Sequence, residues 1–371
     1  MKIKITIAII IISIFSLTSC SNEKQSILIL SEIPSNAQII CYDDEKIYYS
    51  VNDKEDGYRN LTLFLYDIQK KRNFKLAYFS NTDYIITDIV PIKNDIYLIN
   101  KDDESEYSIL KINTQDQSVR AIYKWSGNIS FNYLFNIDQN LVLMNINTLD
   151  DGITNRYTID LIDINTLQAK QIVKKECNRA EGIGTIISSI CVDNNSIYSF
   201  ENVEDNGKTE FYIVQYDIEG NEINSHKLDL NAFLKPDDSG IYSDAVVDIY
   251  INGDYYILST LNQRKIIYKK EDNKLVKIKI PSELYSRYPS RYRILPFAGE
   301  TNEAVYFVDA FSDIKVLIAF NKEGRFYYVK LPIDTKDYPI IYRNSKGDLL
   351  IQSTSEYYLL HRDNMCFKSR V

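Results

Sequence analysis

An all-β repeat fold is predicted by three observations. Strand-forming residues are abundant, with 30 Tyr among the 371 residues against 12 Gly and 8 Pro, and Tyr and Ile fit a pleated, half-buried surface. After the N-terminus no long segment keeps a helical period. An aromatic or aliphatic strand follows a polar turn again and again, at spacings of about 45 to 57 residues, the range in which internal periods mark propellers or solenoids. Four short antiparallel strands per period, joined by hairpin turns and repeated seven times, form the pattern of a seven-bladed β-propeller. Six or eight blades also fit, because the first and last repeats carry the weakest pattern.

The recurring strand reads Lys46-Ile47-Tyr48-Tyr49, Asp95-Ile96-Tyr97-Leu98, Asn140-Leu141-Val142-Leu143 and Ser196-Ile197-Tyr198-Ser199. It returns as Asp254-Tyr255-Tyr256-Ile257, Ala304-Val305-Tyr306-Phe307 and Asp348-Leu349-Leu350-Ile351, so the repeats begin near Ala37, Tyr84, Asn128, Gly182, Ser243, Arg291 and Tyr338. A second strand follows, often with Asp or Asn near its end, as in Leu65-Tyr66-Asp67-Ile68, Ile112-Asn113, Ile162-Asp163-Ile164 and Tyr216-Asp217-Ile218. Short strands such as 85–90 and 275–280 complete the period. A β-solenoid is the rival, and it would need a shorter, stricter period with more small residues at its corners. A ring must also close. The spare strand Ile27-Leu28-Ile29-Leu30 or the tail 367–371 is expected to join first and last blades and protect an open edge. No Pro/Gly/Ser-rich break interrupts 27–371, which reads as one domain.

The N-terminus carries an address. Lys2 and Lys4 precede an apolar run over 5–17, followed by Leu17-Thr18-Ser19-Cys20. That is a basic n-region, a short h-region and small residues leading to a cysteine. The run is too short for the roughly 20 residues of a spanning helix. The four residues resemble the lipobox of bacterial lipoproteins, which implies a signal peptide at 1–19, lipidation of Cys20 and a short tether over 20–26. The alternatives are a buried helix or a secretory signal cut elsewhere. Losing Lys2 and Lys4 takes the formal net charge from −8 to −10. So acidic a chain argues against nucleic acid and against a polybasic grip on anionic lipid. Anchoring would then fall to the acyl chains, at the extracytoplasmic face of a bacterial membrane.

The Ile-Tyr strand and the Tyr-Asp-Ile turn, spread over 37–371, resemble those of bacterial extracytoplasmic propellers of the TolB-like and dipeptidyl-peptidase-propeller kind. Other propeller signatures are missing. There is no Trp-Asp dipeptide, no Gly-Gly doublet of the kelch type and no Ser-x-Asp-x-Gly-x-Thr-Trp box, and Trp125 is the sole tryptophan.

Chemistry-bearing residues are sparse. Four cysteines besides Cys20 do not make a disulfide scaffold. Cys177 and Cys191, the one pair close in sequence, could bridge or stay free. No CxxC occurs, and no metal or other cofactor is expected. His226 and His361 are the only candidate bases, each in an ordinary strand position of the fourth and seventh repeats and neither beside a nucleophile elbow. The acidic runs Asp43-Asp44-Glu45, Asp102-Asp103-Glu104, Asp150-Asp151 and Asp237-Asp238 fall in expected turns, where Asp bonds local backbone. None fits a calcium loop.

The segment that departs most from the background is 285–293, with Arg287, Tyr288, Arg291, Tyr292 and Arg293. It is expected to join the fifth repeat to the sixth on the funnel side. Arg offers a planar fork for anions and Tyr a stacking face, so these residues are candidates for an anionic or sugar-like ligand. The long connection 231–242 would frame the same mouth. Packing between blades is the alternative use of those side chains. The expected function is a lipid-anchored binding module. A carboxylate-dependent glycoside hydrolase or lyase is one rival, and a protein–protein scaffold in envelope assembly is another.

Overall fold

The computed structural model describes residues 27–43, 45–55, 58–80, 89–101, 106–126, 133–230, 245–260, 265–272, 274–278, 294–295, 300–301, 304–309, 316–321, 326–330, 340–344, 348–353, 356–361 and 368–369. Every regular element among them is a β-strand. After β1 (Ile27–Ile29), the first sheet comprises β2 (Gln38–Asp43), β3 (Lys46–Glu55), β4 (Tyr58–Asp67) and β5 (Arg72–Phe79). The second comprises β6 (Val90–Ile92), β7 (Asp95–Lys101), β8 (Glu106–Asn113) and β9 (Val119–Ser126).

An eight-stranded sheet follows. Its first half is β10 (Tyr133–Ile137), β11 (Asn140–Thr148), β12 (Thr154–Asp163) and β13 (Ala169–Asn178), and its second half β14 (Ile183–Asp193), β15 (Ser196–Asp205), β16 (Lys208–Tyr216) and β17 (Glu222–Leu228). The next four-stranded sheet is β18 (Val246–Asn252), β19 (Tyr255–Thr260), β20 (Lys265–Glu271) and β21 (Lys274–Ile278). A six-stranded sheet contains β22 (Ile294–Leu295), β23 (Glu300–Thr301), β24 (Ala304–Asp309), β25 (Val316–Asn321), β26 (Phe326–Lys330) and β30 (Lys368–Ser369). The last sheet is β27 (Ile340–Arg343), β28 (Leu349–Gln352), β29 (Tyr357–Leu360) and β1. Every described pairing is antiparallel, and each follows chain order except at β1, at β30 and at β22, which pairs β24.

Where burial is described, the second strand of each repeat is covered on both faces, so it reads as a continuous apolar run rather than an alternating one. Tyr48 of β3 packs with Ile96 and Leu98 of β7 between the first and second sheets. Tyr97 and Ile99 turn the other way, onto Leu141, Leu143 and Ile162. Val142, Met144 and Ile159 meet Ile187, Ile197 and Val214 between the halves of the eight-stranded sheet, and Phe200 and Ile213 meet Ile249, Tyr256 and Leu258 beyond it. Sheets packed face to face in chain order make a β-propeller arrangement, as the repeat predicts.

The Asp or Asn at or just after the end of the third strand does the same job in four repeats. Asp67 accepts the backbone N–H of Lys70, and Asn113 those of Gln115 and Asp116. Asp163 takes Asn165 and Thr166, and Asp217 takes Glu219 and Asn221. These are side-chain-capped turns. The eight-stranded sheet is continuous because β13 and β14 pair directly through Cys177 with Gly184 and Asn178 with Ile183. Gly184 permits this at φ 132°, where a Cβ would strike the Glu176 carbonyl and come within 2.6 Å of the Cys177 Cα.

The first and last sheets are joined through the N-terminal strand. β1 pairs with β29 through Ile27–Leu360, Leu28–Leu359 and Ile29–Tyr358, and the Leu30 N–H donates to the Tyr357 carbonyl at 2.9 Å. Leu30, Ile33, Ala37 and Ile39 form one core with Ile47, Tyr49 and Tyr66 of the first sheet and Leu350, Tyr357 and Leu359 of the last. The Tyr357 hydroxyl donates to the Ala37 carbonyl at 2.8 Å. The N-terminal strand is therefore the outer strand of the last sheet. The tail does not take that place, since Lys368 and Ser369 pair with Tyr328 and Tyr327 of β26.

Cys177 and Cys191 are unbridged. They point into different cores, Cys177 between the two half-sheets and Cys191 toward β18 and β19. Of the expected repeat starts, Ala37 and Gly182 each lie one residue before the first strand of their repeat, at Gln38 and Ile183, while Tyr84, Asn128, Ser243, Arg291 and Tyr338 lie outside the described residues.

Closure through β1 makes a stability prediction. Leu30→Ala should cost about 2–4 kcal/mol in urea unfolding, because Leu30 is 2 % exposed. Truncation before Lys368 should leave the urea midpoint nearly unchanged, since β30 adds only a two-residue edge pairing.

Candidate functional site

The described part of the molecule holds a cavity of about 360 Å³ between β9 of the second sheet and β11–β13 of the next. Its lining includes Tyr123 and Trp125 from β9, Asn145 and Asn147 from β11, Arg156, Thr158 and Asp160 from β12, and Gln171 from β13. Strand geometry explains the grouping, because side chains two apart share a face. Leu141 and Leu143 of β11 face the second sheet and are apolar. The same face then continues as Asn145 and Asn147. Register places Asn145 opposite Thr158, Asn147 opposite Arg156, and Asp160 opposite Gln171. One sheet face thus begins as core and ends as a polar cleft.

Across the cleft stands a row of three rings. Trp125 stacks with Tyr107 at 5.6 Å between centroids and with Tyr123 at the same spacing. Below them, Asp160 is 9 % exposed. It accepts the Asn145 amide N–H at 2.9 Å and the Thr158 hydroxyl at 3.3 Å. Burial raises the pKa of its carboxyl above the ordinary carboxylate value in spite of both bonds. Burial, with the nearby Asp160, also raises the pKa of the Tyr123 phenol. The cation in the lining, Arg156, is paired with Glu176 at 2.8 Å.

Three polar atoms in this wall have no hydrogen-bond partner: Trp125 Nε1, Asn145 Oδ1 and Asn147 Oδ1. A buried unsatisfied group costs about 1–3 kcal/mol, so three together require an explanation.

The equivalent position one repeat later is built differently. Glu201 occupies the sixth place of β15, as Asn145 does of β11, and is 2 % exposed. Its carboxylate accepts the Ser199 and Tyr216 hydroxyls at 2.7 Å each. Lys175, from the outer strand of the preceding half-sheet, reaches it at 3.5 Å. There the polar position is satisfied and staples the half-sheets together; at Asn145 the same position opens onto a cavity.

The arginine–tyrosine segment with Arg287, Tyr288, Arg291, Tyr292 and Arg293 lies outside the described residues, as do Cys20 and the connection 231–242. His226 is in β17 as expected, buried against Tyr256 at 6.1 Å, with Nε2 unpartnered. Burial and nearby Lys270 lower its pKa. His361 immediately follows β29 rather than lying within it, exposed and 3.5 Å from Asp348. Of the acidic runs, Asp151 caps its turn by accepting the backbone N–H groups of Ile153 and Thr154. Asp102-Asp103-Glu104 and Asp237-Asp238 are outside the described residues. Among the described residues no group of three or more His, Cys, Asp or Glu could hold a metal ion, and no helix is long and apolar enough to cross a membrane.

No protein-family model and no curated protein matches this chain. Solved structures do. The β-propeller domain of the Trilobed protease from Pyrococcus furiosus, which has an open velcro topology, aligns at a TM-score of 0.55 and 11% identity, over 91% of this chain and 96% of that one. Acylaminoacyl peptidase from Pyrococcus horikoshii aligns at 0.53 and 13% identity, over 90% of this chain and 52% of that one. Oligogalacturonate lyase from Vibrio parahaemolyticus aligns at 0.51 and 14% identity, over 91% and 94%. At such identities the likeness is one of fold.

The buried carboxyl makes a pH prediction. A carboxyl whose folded pKa is raised contributes stability that is full below its unfolded value, near 3.8, and is lost as pH rises through the folded value. Asp160→Asn should therefore be more stable than wild type at pH 7.5, with the difference vanishing toward pH 3.8. Urea midpoints across that range check it.

Proposed function

We propose that this chain is a seven-bladed propeller, lipid-anchored through Cys20 at the extracytoplasmic face of a bacterial membrane, that works as a binding module and takes its ligand in the Trp125–Asp160 cleft. The blade count treats the two halves of the eight-stranded sheet as separate repeats and β22–β26 with β30 as one. The anchor rests on Lys2, Lys4, the apolar run over 5–17 and Leu17-Thr18-Ser19-Cys20. The observation that carries the binding reading is the set of unpartnered atoms on Trp125, Asn145 and Asn147 beside a sister position that is fully stapled. Polar groups kept unsatisfied at a stability cost are expected where a ligand completes them.

A hydrolase or lyase working through carboxylates needs a second acid across the scissile bond. Asp160 is the one carboxylate in the described lining, which favours binding over bond chemistry at this cleft. The arginines and tyrosines of 285–293 remain a candidate second contact.

Two outcomes check the reading. Asn147→Leu extends the apolar face of Leu141 and Leu143 and removes an orphaned acceptor, so it should raise stability by about 1 kcal/mol. A loss of that size in urea unfolding would mean that the cleft asparagines are structural. Expressed in a bacterium, the wild-type chain should take up a fatty-acid label and fractionate with membranes, and Cys20→Ala should do neither.

A further inference from the structure

The cleft shows more than that something binds: its chemistry narrows the ligand class. We infer that it accepts a neutral saccharide, one face of whose sugar ring lies against the Trp125 and Tyr123 side of the wall while its hydroxyls meet Asn145, Asn147 and Asp160. This rests on the binding-module reading and goes further by naming what is bound.

The orphaned atoms are of both kinds. Asn145 Oδ1 and Asn147 Oδ1 call for donors, and Trp125 Nε1–H calls for an acceptor. A ligand must therefore offer donors and acceptors close together, which a hydroxyl does from a single atom. Phosphates and carboxylates only accept, and would leave both amide oxygens unmet. They also meet an unfavourable field. Asp160 sits in the wall, and Arg156 is already neutralised by Glu176. Formal net charge is −8 over the whole chain. The aromatic row supplies what hydroxyls do not, an apolar wall against which the C–H groups of a pyranose can pack. The volume, about 360 Å³, is at the small end of the about 300–1,000 Å³ typical of small-molecule sites. It suits a sugar ring rather than a folded partner.

The orphaned atoms are covered by their neighbours, so entry requires small rotations of Asn147 and Trp125, both only partly buried. Binding should accordingly register on Trp125 itself. Because Trp125 is the chain's one tryptophan, its emission reports this cleft without background.

The test titrates the full chain, held in a detergent without a sugar headgroup, and follows tryptophan emission. The probes are neutral hexasaccharides built of glucose, xylose, mannose or N-acetylglucosamine, together with oligogalacturonate and trialanine. The inference expects a saturable change with at least one neutral oligosaccharide. It also expects at least tenfold weaker binding by calorimetry in Asn147→Leu, which should fold at least as well as wild type, and in Asp160→Asn. A response confined to oligogalacturonate or trialanine overturns the saccharide inference and leaves the binding-module reading standing. No response to any probe overturns both. A neutral sugar that binds equally well to Asn147→Leu and Asp160→Asn lies elsewhere, and also overturns the inference.

Discussion

Burial of strands on both faces is the constraint on which the rest of the described structure depends. A strand with two covered faces has no solvent side on which to place a polar group. Each side chain must then be apolar, find a partner across the junction, or stand beside a cavity. Ile47, Ile96, Leu141 and Ile197 take the first course at the second place of their strands, all fully buried. Glu201 takes the second, held by Ser199, Tyr216 and Lys175. Asn145 and Asn147 take the third. The cleft is thus a local exception within a repeated rule, and what it leaves unsatisfied points to its use.

A ring of such sheets also needs its two ends joined, and closure is where sequence-distant segments meet. β1 completes the last sheet, while the residues just after it pack under the first. Tyr357 ties the two together through the carbonyls of Ala37 and Pro34. Any tether between Cys20 and the propeller therefore leads straight into the closing strand.

The repeat was legible because it rests on short-range chemistry. Turn-capping Asp67, Asn113, Asp163 and Asp217 recur at the ends of equivalent strands, and each accepts backbone N–H groups two to four residues on. The choice between two closing strands was not legible. Ile27-Leu28-Ile29 and the 367–371 tail are both short, and the decision lies in contacts of β1 with residues more than 300 positions away. The cleft was hidden for a similar reason. Asp160 sits in a run that reads as an ordinary strand, and its burial comes from packing that spacing alone does not reveal. The signs were the lone Trp125 and the change from Leu141 and Leu143 to Asn145 and Asn147 along one face. Arginine-rich 285–293 drew attention because composition stands out in a sequence, whereas an unpaired amide does not.

The central claim is that the Trp125 indole N–H, covered in the wall of the cleft, has no acceptor until a ligand supplies one. The most direct measurement is the single indole 15N–1H resonance of the tryptophan-labelled protein, recorded free and with saturating neutral oligosaccharide. The account predicts a free-state proton shift typical of an indole lacking a hydrogen bond, moving downfield when the sugar binds. A resonance already at a hydrogen-bonded position, and unmoved by sugar, would contradict it.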